Sequence, residues 1–517
     1  MGYQSVTLTL MESLLESLSP SISWLSILII TALLVVLLLP KESHQNLAPS
    51  PPMLPFLGNI HQIGKLPHYS MYKLAQKYGP IMHLKLGAVR ALVISSPEMA
   101  REVLKVHDIE CCTRAESYGT RKFSYNQKDI SFCGYGDYWR EMRKLAVIEL
   151  FTVKRVRSFE EARGKGLTKM VDIIAKEATG PSRKAIQINE RIFSLTKKFI
   201  CDVAFGTSYE VEKLKDSEIE RTFIEANAMF SSFWASDFFP SFGWIIDTLT
   251  GVQRKLDKSF DEFDQFYEAV INEHLDPNRP KSEHEDITDG LIAMSKDPTC
   301  PVRLTKDHIK AVFMDLFLAP IDTGSATLVW AMTELIKNKR VMKKVQAEVR
   351  QVMENKQKVE ESDLEKLKYF KLVVKETLRL HPPVPLLLPR EAMKHFKVGG
   401  YNVLPKTKIF VNAWAINRDP IAWDSPLEFY PERFENNDVD YKGQHFHYIP
   451  FGAGRRMCPG MTMGIATVDY TLATLLNFFD WDLPAGMKPE DIKMDEKVGL
   501  TIHKVKPLYL VPTKYQP

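Results

Sequence analysis

The chain has 517 residues, with 68 Lys and Arg against 64 Asp and Glu for a formal net charge of +4, and 45% of its residues are hydrophobic. That balance excludes a strongly basic nucleic-acid binder and a hydrophobe-poor disordered chain, so no nucleic-acid partner is expected. The 31 Pro and 25 Gly follow no repeat period, which removes collagen-like and solenoid architectures.

From Ile22 to Leu39 the run ISWLSILIITALLVVLLL carries no charge, about the minimum for a membrane-spanning helix. Glu12 and Glu16 precede it and Pro40 and Lys41 close it, a pattern unlike a cleaved secretory signal. Residues 1–45 therefore read as one uncleaved N-terminal transmembrane anchor. Lys41, the first basic residue on either side, leaves the remainder of the chain in the cytosol. Pro49, Pro51, Pro52 and Pro55 make a stiff spacer at the start of a body spanning 46–517.

In the body, Ile81–Leu86 and Ala91–Ile94 read as a small sheet. Ser96 and Pro97 open a helix as N-cap and first-turn proline. Thr305 precedes a long apolar run, about 45 Å if helical through Leu335. Ser362 and Glu365 predict a capping box before a helix that His381, Pro382 and Pro383 stop near Leu380. The fold class is mainly α with small β-sheets, and no shift in composition marks an internal boundary.

Six cysteines include no CxxC pair, so neither a zinc site nor a disulfide framework is indicated. Cys458 stands in FGAGRRMCPG, residues 451–460, ahead of a helix-like run from Met461 to Phe479. The glycines let the chain approach a flat ligand closely, and a helix N-terminus favours a thiolate. Arg456 offers a fixed cation for a carboxylate. An isolated cysteine is ordinarily a buried, inert one, but Phe451, Gly454, Arg456, Cys458 and Gly460 together form FxxGxRxCxG. That pattern resembles the haem-binding signature of the cytochrome P450 family.

Further motifs carry the same resemblance. Glu376 and Arg379, at i and i+3, followed by LHPP and by PERF with Arg433, resemble the family's Glu-Arg-Arg triad, which implies a buried ion network locking the cysteine loop. Trp139 to Lys144 resembles the WRxxRK helix. With Arg390 in LPRE, it implies that Trp139, Arg143, Arg390 and Arg456 face the haem propionates. Ala319 to Thr323 aligns with the oxygen-activation motif A-G-x-D-T, which implies that Asp322 and Thr323 relay protons to dioxygen. Pro320 stands where Gly is usual. It removes a backbone bond toward Leu316, so a kink is expected, compatible either with ordinary hydroxylation or with oxidative cyclisation or desaturation.

The resemblance covers nearly the whole chain and is nearest to the plant microsomal A-type branch of specialised metabolism. It implies a cytochrome P450 fold behind one transmembrane helix, at the endoplasmic reticulum membrane and facing the cytosol. It also implies haem b ligated axially by Cys458, dioxygen, and electrons from NADPH through NADPH-cytochrome P450 reductase. Lys144, Lys154, Arg155 and Arg157 are candidate docking charges, whereas Lys337, Lys339, Arg340, Lys343 and Lys344 read better as a solvated face. Segments 118–132, 229–233, 313–323, 384–388 and 498–502 match those lying over haem. Phe313, Ala319, Pro320, Val384, Leu388 and Leu500 are the candidate substrate contacts. Their apolar character suits a small lipophilic substrate, an alkaloid or a terpenoid. The competing class is a membrane-tethered haem binder without monooxygenase turnover, which has no need of Asp322 beside Thr323.

Overall fold

The computed structural model describes residue 26 and residues 46–516, other than 180–183, 207–215, 280–284, 355, 357 and 498. The expected anchor lies outside the described residues but for Ser26. The body is mostly helical with small sheets, as its sequence indicates.

Its axis is one 32-residue helix, Lys306–Lys337, with Thr305 at the N-cap and His308 Nδ1 accepting from the Thr305 N–H at 3.1 Å. Among the described residues this is the one helix long and apolar enough to cross a membrane, but it is mostly buried within the body. A helix apolar all round is stable only when surrounded, and here two cores surround it. Ile309 to Ile321 packs with Phe199, Phe205, Phe263 and Tyr267. Leu328 to Ile336 packs with Phe370 to Leu380 and with Val468 to Leu476. Between the two, Asp322, Thr323 and Gly324 belong to neither core, and Ala319 one turn earlier is exposed.

The helix passes through Pro320 unbroken. Proline has no N–H for the Leu316 carbonyl, and two hydroxyls load the next turns: Thr323 Oγ1 donates to Ala319 O at 2.9 Å and Thr327 Oγ1 to Thr323 O at 2.8 Å. Such back-bonding competes with the helical ladder and favours bending.

One expected cap does not form. Ser362 lies inside a short turn, Glu361–Leu364, and the next helix, Lys368–Leu380, starts without a side chain of its own at the N-cap. Its first-turn N–H groups, those of Tyr369 and Phe370, instead donate to the two oxygens of Glu348 at 2.8 Å each. A carboxylate from a packed neighbour does what the local box was expected to do. The helix ends at Leu380, before His381, as expected.

The largest sheet runs Ile81–Leu86, Val89–Ile94, Lys408–Val411, Arg390–Glu391, Thr113–Arg114, and its second and third strands pair in parallel with Ala91 opposite Lys408. A three-stranded sheet joins Ile186–Gln187, Tyr509–Lys514 and Phe479–Asp482. A two-stranded pair, Glu496–Lys497 with His503–Lys504, lies beside the long helix.

Candidate active site

The cysteine loop is shaped by one glycine that nothing else could replace. Gly454 has φ +71°, and a Cβ there would stand 2.2 Å from the Leu104 carbonyl oxygen. The loop leads to Cys458, whose N–H donates to Phe451 O at 3.0 Å, and then to the helix Met461–Phe478. The thiol lies deep in the body yet is open to the cavity. Burial pushes its pKa up, against the Gly460 N–H and the Arg143 guanidinium, which pull it down.

One cavity connects Cys458 to the open face of the long helix: Ala319, Pro320, Asp322, Thr323 and Gly324 all line it. Val384, Leu388 and Leu500 line it too. Phe313 does not. It is fully buried in the core, edge-on to Phe205 at 5.1 Å between ring centres, because its helix face turns away from the open one. Phe123, Phe132 and Phe230 form an aromatic wall in which Phe132 and Phe230 stack at 5.4 Å. Phe199 and Ile200, outside every segment expected to cover the site, also line it, from a helix that gave no local signal beyond apolar periodicity.

Four guanidiniums surround the cavity. Arg143 donates to Met457 O at 2.6 Å; Arg390 to Asp108 Oδ1 at 2.6 Å and Ala453 O at 3.0 Å; Arg456 to the carbonyls of Cys112, Ile130 and Cys133. The fourth, Arg114, escaped sequence reasoning because no motif surrounds it. It is buried and donates to Ser131 O and Leu388 O. Burial depresses Arg456 to about 10, and burial together with the other guanidiniums depresses Arg114. Trp139 departs from its expected role. Its indole N–H donates to Ile130 O at 3.0 Å, and its ring lies under Arg456, 3.9 Å from the guanidinium carbon, so it supports that arginine rather than reaching the cavity.

Glu376 sits at the centre of a second, drier network. Arg379 grips both its oxygens at 2.7 and 2.8 Å, and Arg433 Nε donates to Oε1 at 3.0 Å. Arg379 spends its remaining donors on the carbonyls of Asn417, Pro426 and Glu428. Glu376 and Arg379 have no exposed surface. Asp322 Oδ1 accepts from His503 Nε2 at 2.7 Å, a partner on the C-terminal hairpin that no spacing in the sequence announces. Asp315, one turn before Ala319 on the cavity wall, accepts the Ile130 N–H at 2.7 Å, and burial pushes its carboxyl up to about 6.

A mainly helical body with a glycine-shaped cysteine loop, a buried Glu-Arg-Arg network and a long cavity-lining helix defines a haem-thiolate protein class. The chain belongs to the cytochrome P450 family, which it matches over residues 48–511. It is 46% identical over 477 residues to cytochrome P450 71B34 of Arabidopsis thaliana, covering 92% of this chain and 95% of that one. It is 44% identical over 513 residues to a 2-methylbutanal oxime monooxygenase of Manihot esculenta, covering 98% and 99%. It is 47% identical over 475 residues to a 4-hydroxyphenylacetaldehyde oxime monooxygenase of Sorghum bicolor, covering 91% and 89%. A zebra fish cytochrome P450 structure with abiraterone shares the fold at TM-score 0.72 and 23% identity, covering 88% of this chain and 100% of that one. These relatives put the protein in the plant A-type branch, as an oxidoreductase whose family uses haem b with cysteine thiolate ligation and electrons from NADPH through a reductase. The residues present fit that group: an open thiol faces a cavity lined by four guanidiniums, burial disfavours the charge of Arg114, Arg143 and Arg456, and a dianionic ligand would offset that penalty.

Proposed function

We propose that the protein is a membrane-anchored haem-thiolate monooxygenase of the endoplasmic reticulum, facing the cytosol, that oxidises a small lipophilic plant metabolite. The observation carrying this reading is the convergence on one cavity of Cys458, the arginine cluster, the Asp322–Thr323 turn and an aromatic wall. Bound haem supplies the activation of dioxygen, so that RH + O2 + 2e− + 2H+ gives ROH + H2O, with the electrons drawn from NADPH through the reductase.

The chain's own residues supply the rest. Cys458 would hold the iron through its thiolate, and because burial raises its pKa, binding would be coupled to loss of the thiol proton. Arg114, Arg143, Arg390 and Arg456, which line the cavity, would neutralise and orient the carboxylates of the bound group. Thr323 lines the cavity with its Oγ1 donating to Ala319 O, and a change of χ1 would free that hydroxyl for a bound group. Asp322 lines the same space, where its carboxylate can take up and pass on a proton. The Glu376 network fixes the segment from Asn417 to Glu428 through the carbonyls that Arg379 and Arg433 bind, and that segment in turn holds the approach to the cysteine loop, Trp423 Nε1 donating to His447 O at 3.2 Å. Lys144 and Lys154 remain exposed and suit reductase docking, whereas Arg157 pairs with Glu365 at 3.3 Å and Arg340 is taken by Glu432.

The apolar and aromatic lining suits an alkaloid or terpenoid held by shape. The two relatives named for oximes favour a second reading, an aldoxime substrate. Product analysis against a panel of all three classes, with reductase and NADPH, decides between them. A protein that binds haem but shows no substrate-dependent NADPH oxidation would be a haem binder without turnover. Cys458→Ala should abolish the thiolate signature of the reduced, carbon-monoxide-bound spectrum; retention of that signature removes Cys458 as the ligand. In Pro320→Gly, an altered ratio of hydroxylated to cyclised or desaturated product supports a role for the proline in the outcome, and an unchanged ratio leaves hydroxylation as the ordinary course.

A further inference from the structure

Asp322 stands at the junction of two environments. It lines the cavity, with its side chain 12% exposed, and its Oδ1 is held by His503 Nε2 at 2.7 Å. The His503 side chain is 34% exposed, so one imidazole touches both the carboxylate of the long helix and solvent. Imidazole is the side chain best suited to accept and release protons near neutral pH.

The geometry around His503 is fixed rather than incidental. The neighbouring Ile502 is buried, and both its backbone groups are tied to the body: its carbonyl accepts from Trp330 Nε1 at 3.0 Å, and its N–H donates to Pro383 O at 2.8 Å. Lys504, on the other side, is buried with Nζ on the Lys493 carbonyl. The strand is therefore clamped on both flanks, and the one residue between them is directed at Asp322. Lys497, exposed, faces His503 across the strand pair. Glu496 is committed to His68 at 2.7 Å and to Trp414. Among the described residues, Asp322 is the acid given to His503.

We propose that His503 is a positioning and proton-relay residue, which passes solvent protons through Nε2 to Asp322 and so to the cavity. The relay rests on the oxygen-reducing function proposed for the cavity. Each cycle moves one proton from imidazolium to the Asp322 carboxylate and from there to the cavity, and the imidazole takes its replacement from the solvent pool of H+, so the net transfer is one proton from solvent to the cavity and no other reactant is consumed.

The test uses the haem-loaded, full-length protein with reductase and NADPH, and the probe is dioxygen itself. Electrons are counted into hydrogen peroxide (O2 + 2e− + 2H+) or water (O2 + 4e− + 4H+ giving 2H2O), in H2O and in D2O, from pH 6 to 8. His503→Gln keeps a side-chain N–H for Asp322 but cannot titrate. In it, NADPH oxidation should slow about tenfold, the share of electrons ending in peroxide should rise, the solvent isotope effect should grow and the acid-dependent limb of the pH profile should flatten. In an Asp322→Asn background the same change should add nothing further. Thermal unfolding of the two single variants and the double variant reads the contact without any turnover, and destabilisations that fall short of additive support the pair. A His503→Gln protein with wild-type peroxide share, isotope effect and pH profile overturns the relay, even if the unfolding cycle shows coupling, since that leaves only a structural pin. No NADPH oxidation by the wild type would overturn the oxygen-reducing function, and the relay with it.

Discussion

Glu432 and Arg433 are neighbours in a single 3-10 turn, Pro431–Phe434, yet they serve opposite kinds of ion pairing. Arg433 turns inward to Glu376 and Arg379, where side-chain exposures are 7, 0 and 0%. Glu432 turns outward to Arg340 at 2.5 Å and Lys344 at 3.2 Å, whose side chains are 60 and 46% exposed. The contact distances are alike. What differs is water: the inner carboxylate has only protein to satisfy it, while the outer cations remain solvated whether paired or not. Ion pairs that look equal on distance therefore differ several-fold in what their loss costs.

The largest effect is expected from Glu376→Ala, which strands two buried guanidiniums. It should destabilise the fold by roughly 3–5 kcal/mol and lower haem incorporation, read by thermal unfolding and by the haem-to-protein absorbance ratio. An effect below about 1 kcal/mol would erase the distinction between inner and outer pairs.

Asp315 tests a buried carboxylate without a cation. Its folded pKa, about 6, lies above the ordinary 3.8, so the folded state binds its proton more tightly than the unfolded one. That contribution to stability is fully present below about pH 4 and lost as pH rises through 6. Unfolding temperature should therefore fall between about pH 4 and 6. Because the buried Asp129 carboxyl is raised too, by burial and by Asp315, the slope belongs to the pair, and Asp315→Asn should reduce it by on the order of 1–3 kcal/mol with the double Asn variant removing it. A slope that persists in the double variant would assign it elsewhere.

The smallest effect belongs to Arg340→Ala. Lys344 keeps Glu432 paired, so the loss should stay under about 1 kcal/mol and shrink in high salt. Glu432 itself is held down to about 2, chiefly by its bond to Arg340. Its contribution is present above about pH 4.5 and lost as pH falls toward 2. The wild type and Arg340→Ala should therefore converge at the acid end of an unfolding series.

Much of this was legible in the sequence because short-range patterns carry it. The cysteine loop, the i,i+3 spacing of Glu376 and Arg379, the Thr305 start and the Leu380 stop each depend on residues within a few positions of one another. What was not legible depends on contacts between distant segments. Glu348 caps a helix twenty residues away, Ile130 takes the Trp139 indole, Phe313 turns into the core, and His503 meets Asp322 across 181 residues. Arg114 gave no signal because one arginine among many looks solvated until the fold closes over it.

The strand Tyr509–Lys514 pairs with Ile186–Gln187 and with Phe479–Asp482. On a ribosome adding about 5–20 residues per second, the earlier strand therefore waits roughly a quarter of a minute to a minute for its partner. Its neighbouring helix, Ile188–Phe205, packs on a long helix that is itself more than a hundred residues downstream. Newly made chain must thus carry much of its future core uncovered, and closing such long loops is slow. The step that completes the three-stranded sheet comes among the last in synthesis. A chain shortened before Tyr509 should accordingly accumulate as an aggregation-prone intermediate rather than as a slightly smaller enzyme.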